Sequence, residues 1–388
     1  MGRRCTILWI TLILAWVPAC VAGGGGGKKD KGDDDTSANL PQDASDAATS
    51  PGDVGLEDGV AEVGPPDAGT LPDSFQPEPD TAKPPEDTTK PPPPGSEMVD
   101  PQCLDGQYDE TLPNPSASLE ALLNGYSPAG YVNFILSALD IRYPIGGYIV
   151  AGALENLQIG NCVDFFLGQK DTGEKVIDQL STIVHECGHF LDMGLSGFGE
   201  DTYIISDSLN MTCKGGTKFE YGGETFVRSE LLQDQFVNDY PPCAPGTAGA
   251  DCDFYATTYL TGDSGNQGFN MLFEEAVQYV NSLATGYAFN DFSVWSSSER
   301  DGILTFLWYL ERYLYRARTK YPDTYAFLSE SECWRSAILT LWGRAWLFLA
   351  TTEGMSTLGI ADDLIEPLVA DPLLLKEIQS LRDLHGCK

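Results

Sequence analysis

Two histidines and a glutamate stand close enough in the chain to do chemistry together: His185-Glu186-Cys187-Gly188-His189. Four residues apart on a helix, two imidazoles project from one face about one turn from each other. Neutral rings so placed can share one Zn²⁺ at about 2.0–2.1 Å. Zinc lowers the pKa of a water it holds to about 7, which makes hydroxide available at neutral pH. Glu186, next to the first histidine, reaches that water as general base and later as proton donor. The chain has 3 histidines, and two of them are here. The other, His385, sits beside Cys387 at the terminus and reads as a surface residue.

The chemistry needs a helix under the motif. Over Lys175–Met193, the residues Val176, Ile177, Leu180, Ile183, Val184, Cys187 and Leu191 recur at spacings of three and four, which predicts one. Gly194 and Gly197 can stop it. Cys187 lies about 200° around from both histidines, on the apolar side. It is therefore expected to be packed or disulfide-bonded, not a ligand, and Gly188 leaves room along the helix. Asp192, one turn past His189, is better placed to orient an imidazole than to bind metal. A catalytic zinc also needs a third protein ligand and an open fourth position. A second helix, Asn270–Ala284, offers Glu274 and Glu275. With Phe273, Ala276, Val280 and Leu283 as its buried stripe, the two carboxylates flank that stripe about equally. Periodicity does not choose between them.

The stretch Thr182-Ile183-Val184-His185-Glu186-Cys187-Gly188-His189-Phe190-Leu191 resembles the extended motif of zincin metallopeptidases. The metzincin branch would require Gly at 192 and His or Asp at 195. Asp192 and Leu195 stand there, so that branch is excluded. Phe269 to Tyr279 resembles the gluzincin branch, in which a glutamate on a downstream helix completes a His₂Glu site and precedes a small and an apolar residue. The resemblance implies Glu275, before Ala276 and Val277, as the third ligand, with Glu274 in reserve. It also implies a tyrosine as oxyanion stabiliser, from among Tyr255, Tyr259, Tyr279 and Tyr287, with Tyr279 and Tyr259 preferred. The chain departs from the thermolysin-like form, which has Asp where Tyr279 stands. The resemblance covers the two helices only. Arg228 reads as an ordinary exposed charge.

The remaining elements follow from spacing. Leu119–Leu139 reads as helical, interrupted over Tyr126–Gly130. Tyr148–Ala151 and Val163–Leu167 are short apolar runs expected as strands. Thr217–Tyr221 and Glu224–Arg228 flank Gly222-Gly223 as a hairpin. Ser298–Lys320, Glu332–Ala350 and Ala361–Leu384 are further helices. The expected fold is α+β and mostly helical: a zincin-like domain over residues 101–388, with an active-site helix, a small sheet and a helical C-terminal lobe.

The N-terminus reads as an export signal over residues 1–20. Arg3 and Arg4 precede an apolar run, Ile7–Val17, broken only by Thr11. It is too short to span a bilayer, which takes about 20 residues, and long enough for a signal core. Val17-Pro18-Ala19-Cys20 resembles a bacterial lipobox, which implies lipidation of Cys20 and anchoring to the cell envelope. Cleavage after Ala22 with secretion is the alternative. Residues 21–100 are acidic and proline-rich with one aromatic, Phe75, and cannot bury enough apolar surface to offset their ordering entropy. They are expected to form a linker that holds the domain away from a membrane.

Of 10 cysteines, eight follow the export segment, an even set that reads as disulfides. Cys243–Cys252 is the expected local pair, and Cys333 with Cys387 could tie down the C-terminus. The formal net charge of −34 excludes nucleic-acid binding through phosphates. The expected activity is that of an exported zinc-dependent peptidase acting on peptides or proteins. An amidase cutting cell-wall peptides would use the same chemistry. The contrasting possibility is a stalked adhesion or scaffold protein with a structural or vestigial zinc site.

Overall fold

The computed structural model describes residues 96–156, 160–240, 253–293 and 296–387. Cys20, the export segment, the linker up to residue 95 and the Cys243–Cys252 pair lie outside the described residues. What is described is mostly helical, with one two-stranded antiparallel sheet.

The motif lies on a helix from Leu180 to Leu195. Its predicted first turns form a separate short helix, Gly173–Ile177, started by Thr172, whose hydroxyl accepts from Lys175 N–H. The motif helix buries Ile183, Val184, Cys187 and Leu191, the stripe its spacing predicts. It packs between two long neighbours, Pro144–Glu155 and Phe269–Ala288. The second of these, hereafter the partner helix, rests in turn on Glu299–Lys320 and Glu332–Thr351. These two helices bury Trp308, Tyr309, Tyr313, Trp334 and Trp342 in the middle of the core. The predicted C-terminal helix over 361–384 is two helices, Asp362–Val369 and Leu375–His385.

The strands are not where short apolar runs place them. Tyr148–Ala151 belongs to the helix Pro144–Glu155, which buries Ile145, Ile149, Val150 and Ala153. Pro144 opens it, where a missing N–H does no harm. Val163–Leu167 falls in a short helix, Cys162–Phe166, capped by Asn161, whose side chain accepts from Asp164 N–H. A four- or five-residue apolar run fits either state, and its neighbours decide. The expected hairpin at Gly222-Gly223 is a compact loop. Phe219–Tyr221 makes one 3₁₀ turn and Gly222 follows in the left-handed region at φ 76°; between the two arms there is a single isolated bridge, Lys218 to Thr225. The sheet is instead β1 (Glu200–Ile204) paired with β2 (Asn210–Lys214), Thr202 opposite Thr212. β1 packs against the end of the motif helix.

Among the described residues three disulfides close the fold: Cys103–Cys387, Cys162–Cys187 and Cys213–Cys333. Cys333 thus pairs with β2, and Cys387 with the start of the folded region. The same junction carries Trp342 Nε1 donating to Met98 O at 2.7 Å and Arg382 paired with Asp105. Disulfides of this kind belong to an oxidising compartment and hint at export. Among the described residues no helix is long and apolar enough to cross a membrane.

Candidate metal centre

The site forms where the motif helix crosses the partner helix. Gly188 makes the crossing close: a Cβ there would meet Gln278 Oε1 at 1.8 Å. The amide of Gln278 thus occupies the space a side chain would take, and the two histidines face the two glutamates across the gap. Behind the motif, Cys187 is tied to Cys162, so its sulfur holds the helix and is no ligand.

Three side chains converge. His185 Nε2 and His189 Nε2 each lie 3.7 Å from Glu275 Oε2. One donor atom from each of His185, His189 and Glu275 falls within a 4.8 Å set that could hold a metal ion. Glu275 Oε2 is sealed from solvent and has no hydrogen-bond partner, since 3.7 Å is too long for one. A buried polar atom left so costs about 1–3 kcal/mol, and more when charged. A cation between the three groups would relieve that cost. Two donors at about 2.0–2.1 Å from one tetrahedral ion stand about 3.4 Å apart, close to the spacing seen. The residues therefore fit a metal ion. His189 and Glu275 keep side-chain exposures of 12% and 13%.

Glu274 has a different place. Its Oε2 lies 2.5 Å from His189 Nδ1, which leaves Nε2 of that ring for an ion. Glu274 therefore holds the imidazole, the position that spacing assigned to Asp192. Asp192 accepts from Ile204 N–H at 3.0 Å and from Gln278 Nε2 at 2.9 Å. Gln278 also donates to Glu274 Oε1 at 3.2 Å, so Asp192 lies three hydrogen bonds behind the ring. Burial disfavours a charged His189, but Glu274, Glu275 and Glu186 outweigh it and raise the metal-free ring to about 10. Burial likewise opposes the charge on Glu275, yet His189, His185 and Arg228 hold its carboxyl below the usual range.

Comparison with protein-family models, curated proteins and solved structures returns no match to this chain.

The rest of the site is read from its own geometry. Arg228 is not an exposed charge. It is fully buried, with Nη2 4.0 Å from Glu275 Oε1. Its Nε donates to Ser264 O at 2.8 Å and its Nη1 to Met271 O at 3.3 Å. Glu186 is buried beside the ligands, and its carboxylate makes no hydrogen bond among the described residues. The ring of Tyr279 meets that of His185 edge-on at 4.8 Å, and its hydroxyl is 2.8 Å from that of Tyr259. Gly302 admits this tyrosine, since a Cβ there would meet its ring at 2.1 Å. Burial pushes both hydroxyls well above the ordinary tyrosine value, so they remain proton donors. Tyr255 is committed elsewhere, donating to Ser298 O at 3.0 Å. Tyr287 is half-buried about two turns past Tyr279. His385 closes the last helix and is not in the metal-holding set.

Sequence reasoning missed Arg228, Gln278 and Asn281. A signal for the last two exists. Glu274, Gln278, Asn281 and Thr285 recur at spacings of four, three and four, a polar stripe along one side of a mostly apolar helix.

Proposed function

We propose that this chain is an exported zinc-dependent peptidase, with His185, His189 and Glu275 as metal ligands and Glu186 as general base. The observation that carries this reading is Glu275 Oε2, buried and without a hydrogen bond among the described residues, 3.7 Å from both imidazole Nε2 atoms. Bound there, zinc supplies Lewis-acid polarisation of a carbonyl and hydroxide near neutral pH. Glu186 then takes a proton from the attacking water and returns it to the leaving amine nitrogen. Its carboxylate, free of hydrogen bonds among the described residues, suits that exchange. Tyr259 and Tyr279 supply a neutral hydroxyl pair beside His185, suited to donate to a developing oxyanion. The gluzincin-like order of ligands supports zinc over other ions, as does the N₂O donor set. In this reading Cys20 carries the lipid that anchors the chain to the bacterial envelope.

A zinc site kept only for structure in a stalked scaffold has no use for Glu186. The test follows from this. The purified chain, loaded with zinc, is incubated with a peptide library and the products are read by mass spectrometry. Glu186→Gln should retain zinc and lose about 10²–10⁴-fold in cleavage rate. If the loaded wild type cleaves nothing, or the variant cleaves at the same rate, the peptidase reading fails.

A further inference from the structure

A continuous line of buried hydrogen bonds leaves the candidate metal centre and ends on a cation. His189 Nδ1 meets Glu274 Oε2. Glu274 Oε1 and Asp192 Oδ2 both accept from Gln278 Nε2. Gln278 Oε1 accepts from Asn281 Nδ2 at 2.9 Å, and Asn281 Oδ1 accepts from Arg344 Nη1 at 2.7 Å. Gln278, Asn281 and Arg344 are all fully buried. Arg344 is itself fixed from behind: its Nε donates to Glu110 Oε2 and its Nη2 to the Tyr143 hydroxyl, both at 2.9 Å. The Tyr108 hydroxyl donates to the same Glu110 oxygen.

We propose that Arg344 is a positioning residue for His189, acting through Asn281, Gln278 and Glu274. The inference rests on the metal reading above and adds to it a direction. A guanidinium has donors only, so the oxygen of Asn281 must face Arg344. Its NH₂ then faces Gln278, which leaves the oxygen of Gln278 turned that way. The NH₂ of Gln278 is left for the two carboxylates. The guanidinium requires the oxygen of Asn281 and the two carboxylates require the NH₂ of Gln278, so the bond between the two amides has one sense, set from both ends. None of these groups reaches solvent, so a reversed amide would find no water to relieve the mismatch. The consequence is local to His189: Glu274 keeps one oxygen satisfied by Gln278 and turns the other to the imidazole, which fixes the ring with Nε2 toward Glu275. The N-terminal stretch enters here as well, because Glu110 is the carboxylate that holds Arg344.

Asn281→Asp tests this. It is isosteric, keeps an acceptor for Arg344 and removes the donor to Gln278, which frees the glutamine amide to turn. Zinc affinity of the full chain is measured by competition with a chromogenic chelator. Thermal unfolding of the metal-free chain and the ¹H resonance of the His189 Nδ1 proton in the zinc-loaded chain are followed in parallel. The expected result is a loss of about 10-fold or more in affinity, the range for groups that orient a metal ligand. The Nδ1 proton resonance moves upfield, and the metal-free chain, though less stable than wild type, still unfolds in one cooperative transition. Asn281→Leu, of similar size and without polarity, should weaken zinc equally and serves if the aspartate variant does not fold. A folded variant with wild-type zinc affinity and an unmoved resonance overturns the relay and leaves the metal reading standing. Failure of the wild type itself to take up zinc overturns both.

Discussion

Glu274 and Glu275 are neighbours in sequence with different tasks, and exchanging each for glutamine separates them. Glutamine keeps the shape and removes the charge. Structural zinc binds to peptides with about 10–16 kcal/mol, or about 2.5–4 kcal/mol for each of four ligands. At about 1.4 kcal/mol per decade, Glu275→Gln should weaken zinc by between two and three orders of magnitude. Glu274 touches no ion; its contact is His189 Nδ1 at 2.5 Å. Loss of such an orienting group costs about 10–100-fold, so Glu274→Gln should fall well short of the neighbouring variant. The assay is a competition titration of the purified chain against a chromogenic zinc chelator, at fixed pH and ionic strength, with the metal-free fold checked by circular dichroism. A greater loss for Glu274→Gln would reverse the two roles. Wild-type affinity in both would refute the claim that either carboxylate serves the ion, and with it the interpretation of the orphaned Glu275 oxygen.

Three further outcomes are expected. Replacing Cys162 and Cys187 by serine opens a loop with a sequence separation of 25, worth about 3.5 kcal/mol in the chain-entropy model; thermal unfolding should show that loss and zinc affinity should drop with it, whereas an unchanged midpoint would mean the bond does not clamp the motif helix. Gly188→Ala drives a Cβ to 1.8 Å from Gln278 Oε1; overpacking of this kind costs about 1–3 kcal/mol, and displacement of Gln278 should weaken zinc as well, so a variant of wild-type stability and affinity would contradict the close crossing. Glu311 is fully buried with both oxygens unpaired, and burial, reinforced by Asp371 and Glu377, raises it well above its ordinary value of 4.5. Its contribution to stability is full below that value and is lost as pH rises toward the folded one. Glu311→Gln should therefore match wild type in melting temperature near about pH 4 and exceed it near about pH 8; a constant difference across that range would show that Glu311 is not neutral in the fold.

The helices were legible where one face is apolar and the other is polar. The motif helix shows its stripe because Ile183, Val184, Cys187 and Leu191 are apolar and lie opposite His185, Glu186 and Asp192, which are buried as well. The sheet was not legible. β1 reads Glu-Asp-Thr-Tyr-Ile, and its burial does not alternate; the strand is held by its place beside the motif helix, not by a period of two. Tyr148–Ala151 misleads for the converse reason. Its isoleucine and valine favour a strand in isolation, and the helical spacing appears only when Ile145 and Ala153, outside the run, are counted with it.

The third ligand shows why a stripe argument stops short at a functional site. It assumes that one side of a helix meets the core and the other meets water. The partner helix violates this: Phe269, Leu272, Phe273, Glu274, Ala276, Val277, Gln278, Val280 and Asn281 are all buried, so both flanks face protein. Neither glutamate is then a solvated carboxylate. Successive residues on a helix point about 100° apart, and that angle separates an oxygen lying between two Nε2 atoms from one lying on a Nδ1. Which is which depends on where the motif helix crosses, and the crossing is set by Gly188 and the Gln278 amide lodged against it. Periodicity measures each helix alone. The proposed assignment of Glu275 as ligand and Glu274 as its support is a property of the pair, and it is carried in sequence by the glycine of one helix and the polar stripe of the other.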